Sequence, residues 1–285
     1  MLEELDTVLS GLQEEFAVVL LDDCSTDDTL EKLKRFSFRG RNLSLEILSL
    51  DLNRGHQFAI RQGLLYVSEK GGEKAIIMDA DGADDPHCIP AMLSIHDADV
   101  VRIVRGKRAE PIRFRIAYFF YRLIFRIVLG RRMNFGNFCL INKKVISIIS
   151  VQPFYHFAAF LSRLPLKSAS VTADRRKRVS GKSKMTFRKL FYHAMNSFVE
   201  YGEELTGVFM KLTVFLSTLF ILFLFLILYL KLFTDKAILG WASTLGVALF
   251  SCLLICVGFF VSGILLLRIS KNKTISVSDR QYKIL

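Results

Sequence analysis

Lys74-Ala75-Ile76-Ile77-Met78-Asp79-Ala80-Asp81 is the stretch on which the fold of this chain turns. A short apolar run ends abruptly in two carboxylates one residue apart. A buried strand would deliver Asp79 and Asp81 to its C-terminal end, where open α/β sheets bind ligands. Residues i and i+2 of an extended segment point to the same side, so both carboxylates can serve one site. Paired hard oxygen donors suit Mg²⁺ or Mn²⁺, ions that bridge protein carboxylates to a diphosphate. An isolated Asp-x-Asp is more often a strand followed by an acidic turn, so the flanking sequence has to decide.

Upstream of this run, Met1 to Glu15 carries Leu2, Leu5, Leu9 and Leu12 on one helical stripe. Phe16 to Leu21 is an apolar, β-rich run that stops at Asp22-Asp23. Ser25 or Thr26 then caps a helix from Asp27 to Phe36. A strand near Leu45–Leu50 and a helix after Asn53 through Val67 follow, and Gly71-Gly72 breaks that helix. Downstream, Asp99–Val104 reads as a further strand. This alternation predicts an α/β domain with a mostly parallel sheet and helices on both faces.

The chain of 285 residues has room for one such domain and something smaller. No charged residue occurs from Leu212 to Leu230 or from Ala237 to Leu267. Each stretch can cross a hydrocarbon core of ~30 Å, which takes about 20 apolar residues. The reading is therefore a catalytic-type domain over 1–190, a juxtamembrane helix at 191–211, transmembrane helices at 212–232 and 241–267, and a basic tail at 268–285. A helix running from Thr186 to Met210 would lead into the first span. The loop between the spans holds only Lys231, Asp235 and Lys236, whereas Lys211, Arg268, Lys271, Lys273, Arg280 and Lys283 lie outside them. By the positive-inside rule the large domain faces the cytoplasm, and the spans form a hairpin anchor.

Net charge is +12, with the excess concentrated in 102–132 and 175–189. For a membrane-anchored chain this points to anionic headgroups and phosphate-bearing substrates rather than nucleic acid. Arg115, Arg122 and Arg126 recur near a helical period among Phe114, Tyr118, Phe119, Tyr121 and Phe125, which predicts an interfacial helix over 111–129. Cys24, Cys88, Cys139, Cys252 and Cys256 make no metal spacing and receive no chemical role.

Further landmarks fall in order: Asp22-Asp23-Cys-Ser-Thr-Asp-Asp-Thr, Asn53-Arg-Gly-His-Gln57, Asp79-Ala80-Asp81 with Asp84-Asp85-Pro86, Arg105, Gly136-Asn-Phe138, and Arg178-Val-Ser-Gly-Lys-Ser-Lys184. In this order they resemble the family-2 inverting glycosyltransferases of GT-A fold. The closest branch is the polyprenyl-phosphate sugar transferases of dolichol-phosphate mannosyltransferase and bactoprenol glucosyltransferase type. The resemblance covers about residues 14–190.

It implies transfer of a sugar, with inversion, from a UDP- or GDP-linked donor to polyprenyl phosphate at the membrane. Asp22 and Asp23 would then close on base and ribose, and Asp79 and Asp81 would hold Mg²⁺ or Mn²⁺ against the diphosphate, Asp81 as direct ligand. Ala80 lines the donor between them. Arg105, Arg178 and Lys184 would neutralise phosphates, with Arg113, Arg115 and Arg178 on the acceptor phosphate. His56 is assigned to ordering its loop rather than to catalysis. A homo-oligomer is compatible with this reading.

The chain departs from that family in three places. The usual first strand, central in the sheet and followed by a Pro-x-Tyr-Asn-Glu-like loop, is absent before residues 1–15, so the expectation is either a true start upstream of Met1 or a shortened form. Position 83, often Gln, is Ala83, with Asp84 or Asp85 as substitutes. Around Gly136 the acidic and Arg neighbours are replaced by Asn134 and Cys139. Two alternatives follow: a transferase acting on another lipid or a lipid-linked saccharide, with Asp84 or Asp85 as base, or a shortened, non-catalytic membrane interaction module.

Overall fold

A computed structural model describes residues 1–105, 135–173, 199–233, 240–271 and 281–285. Helix 111–129, Arg113, Arg115, Arg178, Lys184 and the loop between the apolar helices lie outside the described residues, as does most of the segment leading to the first span. The chain divides into two compact units. The first holds the described residues up to Glu200 together with 281–285, and the second holds 201–233 and 240–271.

In the first unit, α1 (Leu2–Leu9) buries Leu5 and Leu9 in a small cluster with Ile89, beside Phe16, Val18, Ile76 and Met78. It stops well before Glu15 because Asn42 takes over its end. The Asn42 amide donates to the carbonyls of Leu9, Leu12 and Glu14 at 2.9, 3.1 and 3.0 Å, turning the chain into β1 (Phe16–Asp22). After α2 (Thr29–Arg35), β2 (Leu43–Leu50) pairs in parallel with β1, from Phe16↔Leu43 to Asp22↔Ser49. Helix α3 (His56–Glu69) then crosses to β3 (Lys74–Ile77). It packs closely: a Cβ at Gly63 would lie 2.8 Å from Leu21 Cδ1, so a larger residue there would have to displace the Leu21 side chain.

A short 3₁₀ turn (Pro86–Cys88) and α4 (Ile89–Leu93) lead to β4 (Val100–Arg105). Then come β5 (Phe135–Asn142), α5 (Lys143–Val151), α6 (Phe157–Arg163) and β6 (Ser168–Ala173). These strands form a sheet of order β3-β5-β4-β6, in which β5 runs antiparallel to both neighbours and β4 pairs in parallel with β6.

The α/β class is as expected, but the pairing is mixed rather than mostly parallel. Strand β5 was not foreseen, because Phe138 to Ile141 are all buried and its pattern does not alternate. The strands also form two sheets, and β1 and β3 are not ladder partners although both pack on α3.

The last strand, β7 (Tyr282–Ile284), adds antiparallel to the free edge of β2, with Leu50↔Tyr282 and Leu48↔Ile284. Lys283 pairs with Asp51 at 2.8 Å, and the Tyr282 hydroxyl meets Glu69 at 3.1 Å. The sequence shows here only a basic tail. Three residues carry too little pattern to mark a strand, and an edge already presented by β2 supplies the rest.

The main core lies between α3, α5, α6 and one sheet face, around Ile77, Val100, Ile141, Val145, Ile149, Phe157 and Phe160. Asp99 pins its rim. Its carboxylate accepts from Lys167 N, Asn142 Nδ2 and Lys144 Nζ, each at 3.0 Å. The backbone amide of Lys167, then the Lys144 ammonium, hold its carboxyl below the usual 3.8. A depressed folded value stabilises the protein above the unfolded pKa, and that stability is lost as pH falls through the folded one. Asp99→Asn should therefore cost about 2 kcal/mol near neutral pH, and the cost should shrink progressively as pH falls below 3.8. Denaturant midpoints measured across that range would check it, and an equal loss at every pH would contradict it.

In the second unit, α7 (Gly202–Phe233) and α8 (Trp241–Lys271) are long and apolar enough to cross a membrane, with mean hydropathy 2.6 each. Their surfaces are almost wholly exposed, unlike helices of a water-soluble core. They pack on one another through Phe209 on Phe259 and Phe220 on Phe250, with ring centroids 5.3 and 5.8 Å apart. A Cβ at Gly263 would lie 2.7 Å from Thr206 Oγ1, so this glycine permits the close approach.

Candidate functional site

Three loops, after β1, before α3 and after β3, meet through their own hydrogen bonds. Asp22 is buried, and both its carboxylate oxygens face Ser25 N, at 3.3 and 3.2 Å, closing the turn after β1. Cys24 takes φ +56 in that turn, a left-handed conformation costing ~1 kcal/mol for a side chain. Asp23 reaches across to the next loop: Oδ1 accepts from Arg54 N and Oδ2 from Gly55 N, both at 2.8 Å. Asn53 Nδ2 donates back to the Asp23 carbonyl at 3.0 Å. Gly55, at φ +88, provides the left-handed step into α3.

The first residue of α3 then meets the acidic strand end. His56 Nε2 lies 2.8 Å from Asp79 Oδ1. That hydrogen bond, with the charges of Asp79, Asp84 and Asp81 nearby, raises the imidazole pKa above 6.5, against the effect of burial. The acidic loop is held from within. Asp84 is buried and accepts Asp79 N at 3.0 Å, Asp81 Oδ1 accepts Ala83 N at 2.9 Å, and Asp85 accepts His87 N at 3.0 Å. Asp84 and Asp85 thus organise backbone, and Ala83 is itself buried.

Of the residues singled out from the sequence, Asp22, Asp23, Asp79, Ala80 and Asp81 fall in this one cluster of loops, with Ala80 exposed between its two carboxylates. Arg105 ends β4, in register with Ala173 of β6. Cys139 lies in the core, where burial pushes its thiol up to about 12, so it is chemically inert at neutral pH. Glu200 was not singled out from the sequence, and the partner of Gln57, although Gln57 ends the Asn53–Gln57 run, had no sequence signal either. Gln57 Oε1 accepts Phe157 N at 2.6 Å, and Glu200 accepts the amides of Tyr155 and His156. All three bonds span long sequence separations, so only the folded chain reveals them.

Among the described residues, no group of three or more His, Cys, Asp or Glu side chains forms a self-sufficient metal cage. The donor set at Asp79 and Asp81 fits an ion of another habit. Mg²⁺ commonly takes one or two carboxylates and completes its shell with substrate phosphates and water.

The chain is 27% identical over 256 residues to the Uncharacterized glycosyltransferase YkcC of Bacillus subtilis (strain 168), covering 87% of this chain and 77% of that protein. It is 28% identical over 197 residues to the Uncharacterized glycosyltransferase YkoT of the same organism, covering 67% of this chain and 58% of the relative. It is 27% identical over 192 residues to the Undecaprenyl-phosphate 4-deoxy-4-formamido-L-arabinose transferase of Salmonella choleraesuis (strain SC-B67), covering 65% of this chain and 57% of that one. The profile of the Glycosyl transferase family 2 matches residues 2–160, a span that contains all three loops of the site. With more than half of its length so matched, the chain belongs to glycosyl transferase family 2 and is a glycosyltransferase.

Proposed function

We propose that the chain moves a sugar from a nucleotide-diphosphate donor to polyprenyl phosphate, with inversion, at the cytoplasmic face of a membrane. The observation that carries this reading is the joining of Asp23, His56 and Asp79 across the ends of β1 and β3, beside Asp81. Such strand ends are where α/β folds bind nucleotides. The Salmonella relative, named for its undecaprenyl-phosphate acceptor, and the two apolar helices support a lipid acceptor.

The roles follow from the chemistry of each group. Asp22 and Asp23 shape the pocket wall for base and ribose. Asp79 and Asp81 would hold a divalent ion, which supplies charge stabilisation on the leaving nucleoside diphosphate. Arg105, Arg178 and Lys184 add positive charge around the phosphates, and Arg113, Arg115 and Arg178 bind the acceptor phosphate. A lipid phosphate, with a second pKa of ~6, is largely anionic at neutral pH and needs no general base. That Asp84 accepts Asp79 N and Asp85 accepts His87 N and meets the His87 ring gives both a part in holding their own loop, which favours such an acceptor over a sugar or lipid hydroxyl. The enzyme then has to align the phosphate oxygen with the anomeric carbon and exclude water.

Two spans would return the chain to the side it left, and the pairing of Tyr282–Ile284 with β2 supports such a hairpin. The Lys and Arg flanks assign that side to the cytoplasm.

Membranes carrying the full chain, given a short polyprenyl phosphate and a panel of labelled UDP- and GDP-sugars with Mg²⁺ or Mn²⁺, should place label in an acid-labile lipid. Label appearing only in a base-stable glycolipid would favour the hydroxyl acceptor. No label from any donor, in membranes shown to hold folded protein, would overturn the reading.

A further inference from the structure

We propose that the C-terminal residues Gln281–Leu285 are a positioning element of the donor site, holding both flanks of the loop that carries Asn53 to His56; this rests on the reading of the three loops as that site. The loop is flanked by the end of β2 and the start of α3. One short segment reaches both. On the β2 side, β7 runs antiparallel with Leu50↔Tyr282, Ser49↔Lys283 and Leu48↔Ile284, and Leu285 N donates to Ile47 O at 3.0 Å. Hydrogen-bonded pairs recur at every second position of an antiparallel ladder, so Lys283 also turns its amide toward β2. Its ammonium meets Asp51, the first residue past that strand, at 2.8 Å.

On the α3 side the contacts fall on one helical face, at positions 62, 66 and 69. Gln281 N donates to the buried Gln62 Oε1 at 3.3 Å, Tyr282 packs edge-on against Tyr66 with ring centroids 5.7 Å apart, and the Tyr282 hydroxyl meets Glu69 at 3.1 Å. The bonds from Asp23 to Arg54 N and Gly55 N join one loop to another. Strand β7 instead grips β2 and α3 at once and so fixes the spacing of the two flanks. It adds little to the core, since Ile284 and Leu285 remain 61% and 48% exposed and the Lys283–Asp51 pair stands in solvent. Its effect is therefore local, on the loop it flanks, rather than on global stability. Because these residues follow α8, the donor site is complete only once both apolar helices have been made.

The test uses the full chain in detergent and compares Lys283→Pro with the wild type. Proline removes the amide that faces β2 and the ammonium that meets Asp51. Amide exchange read by mass spectrometry should quicken in the peptide spanning 51–58, while β4 and β5 keep their protection. The donor KM should rise about 5-fold with kcat little changed, since apparent affinity falls with the fraction of molecules holding the competent loop. Tyr282→Ala, which releases α3 instead, should act in the same direction. Lys283→Ala keeps the amide and should raise KM by less than about 2-fold, as an exposed ion pair is worth little. Unchanged exchange over 51–58 in both Lys283→Pro and Tyr282→Ala would overturn the proposal, as would an unchanged donor KM in both or protection lost equally in β4 and β5. Faster exchange confined to 51–58, in a protein whose wild type transfers no sugar, would uphold the positioning and remove the donor-site reading instead.

Discussion

Replacing Asp81 with alanine should lower metal-dependent sugar transfer by ~10³-fold, equivalent to about 4 kcal/mol of transition-state stabilisation. Asp81 stands two residues beyond Asp79, in a loop whose backbone is already held by Asp84 and by its own Oδ1 bond to Ala83 N. Removing its carboxylate costs that one local bond, while Asp84 keeps its grip on Asp79, so the fold should survive. The thermal transition should accordingly move little, and the loss should appear in kcat rather than in folded protein. Asp79→Ala should be at least as severe, because it also strips His56 of its 2.8 Å partner. Asp85→Asn is the informative contrast, since its role is to cap the Pro86–Cys88 turn. A loss for Asp85→Asn as large as that for Asp81→Ala would point to a general base and a hydroxyl acceptor. Label recovered in the lipid extract, with and without chelator, separates these outcomes.

The largest effect on stability should come from Phe160→Ala, at about 3–5 kcal/mol. Phe160 is wholly buried and packs on Phe154 with ring centroids 5.7 Å apart, in the cluster that joins α3, α5 and α6 to the sheet. Truncation removes the transfer free energy of the ring and leaves a cavity between elements fixed from several sides. Because α6 also presents the Phe157 amide to Gln57, transfer activity should become more temperature-sensitive before the protein unfolds. Denaturant melts of the solubilised chain would measure the change. Val151→Ala at a 65% exposed site should shift the same transition by no more than about 0.5 kcal/mol. Equal effects at the two positions would show that the aromatic cluster is not the core of this unit.

Local pattern made much of this protein readable. The apolar run at Phe16–Leu21 and the one ending in Asp79 were strands for the reason first given: short hydrophobic stretches stopped by carboxylates. The two uncharged stretches near the C-terminus became long apolar helices because length and hydropathy leave an isolated segment few other options. The acidic pairs and the Asn53–Gln57 run could be placed at strand and helix ends because ends are set by those same runs. Helix α2 formed at Thr29–Arg35, inside the expected Asp27–Phe36, but its expected cap did not form. Asp22 took Ser25 N for the turn, and Asp27 took Thr29 N instead.

What remained hidden depended on partners far away in sequence. Strand β5 is buried on both faces, so its side chains show no alternation, and its antiparallel course follows from the neighbours it joins. Strand β7 exists because β2 offers an open edge more than 230 residues earlier in the chain. The bonds from Phe157 to Gln57 and from His56 to Asp79 span separations of 100 and 23 residues, and no local spacing encodes them. The sequence by itself determined the elements and the residue types that the chemistry needs, because hydrophobic period, chain length and charge act locally. Tertiary structure alone decided sheet order, strand direction and which polar atoms meet, because hydrogen-bond partners of buried groups are chosen by packing and not by proximity along the chain.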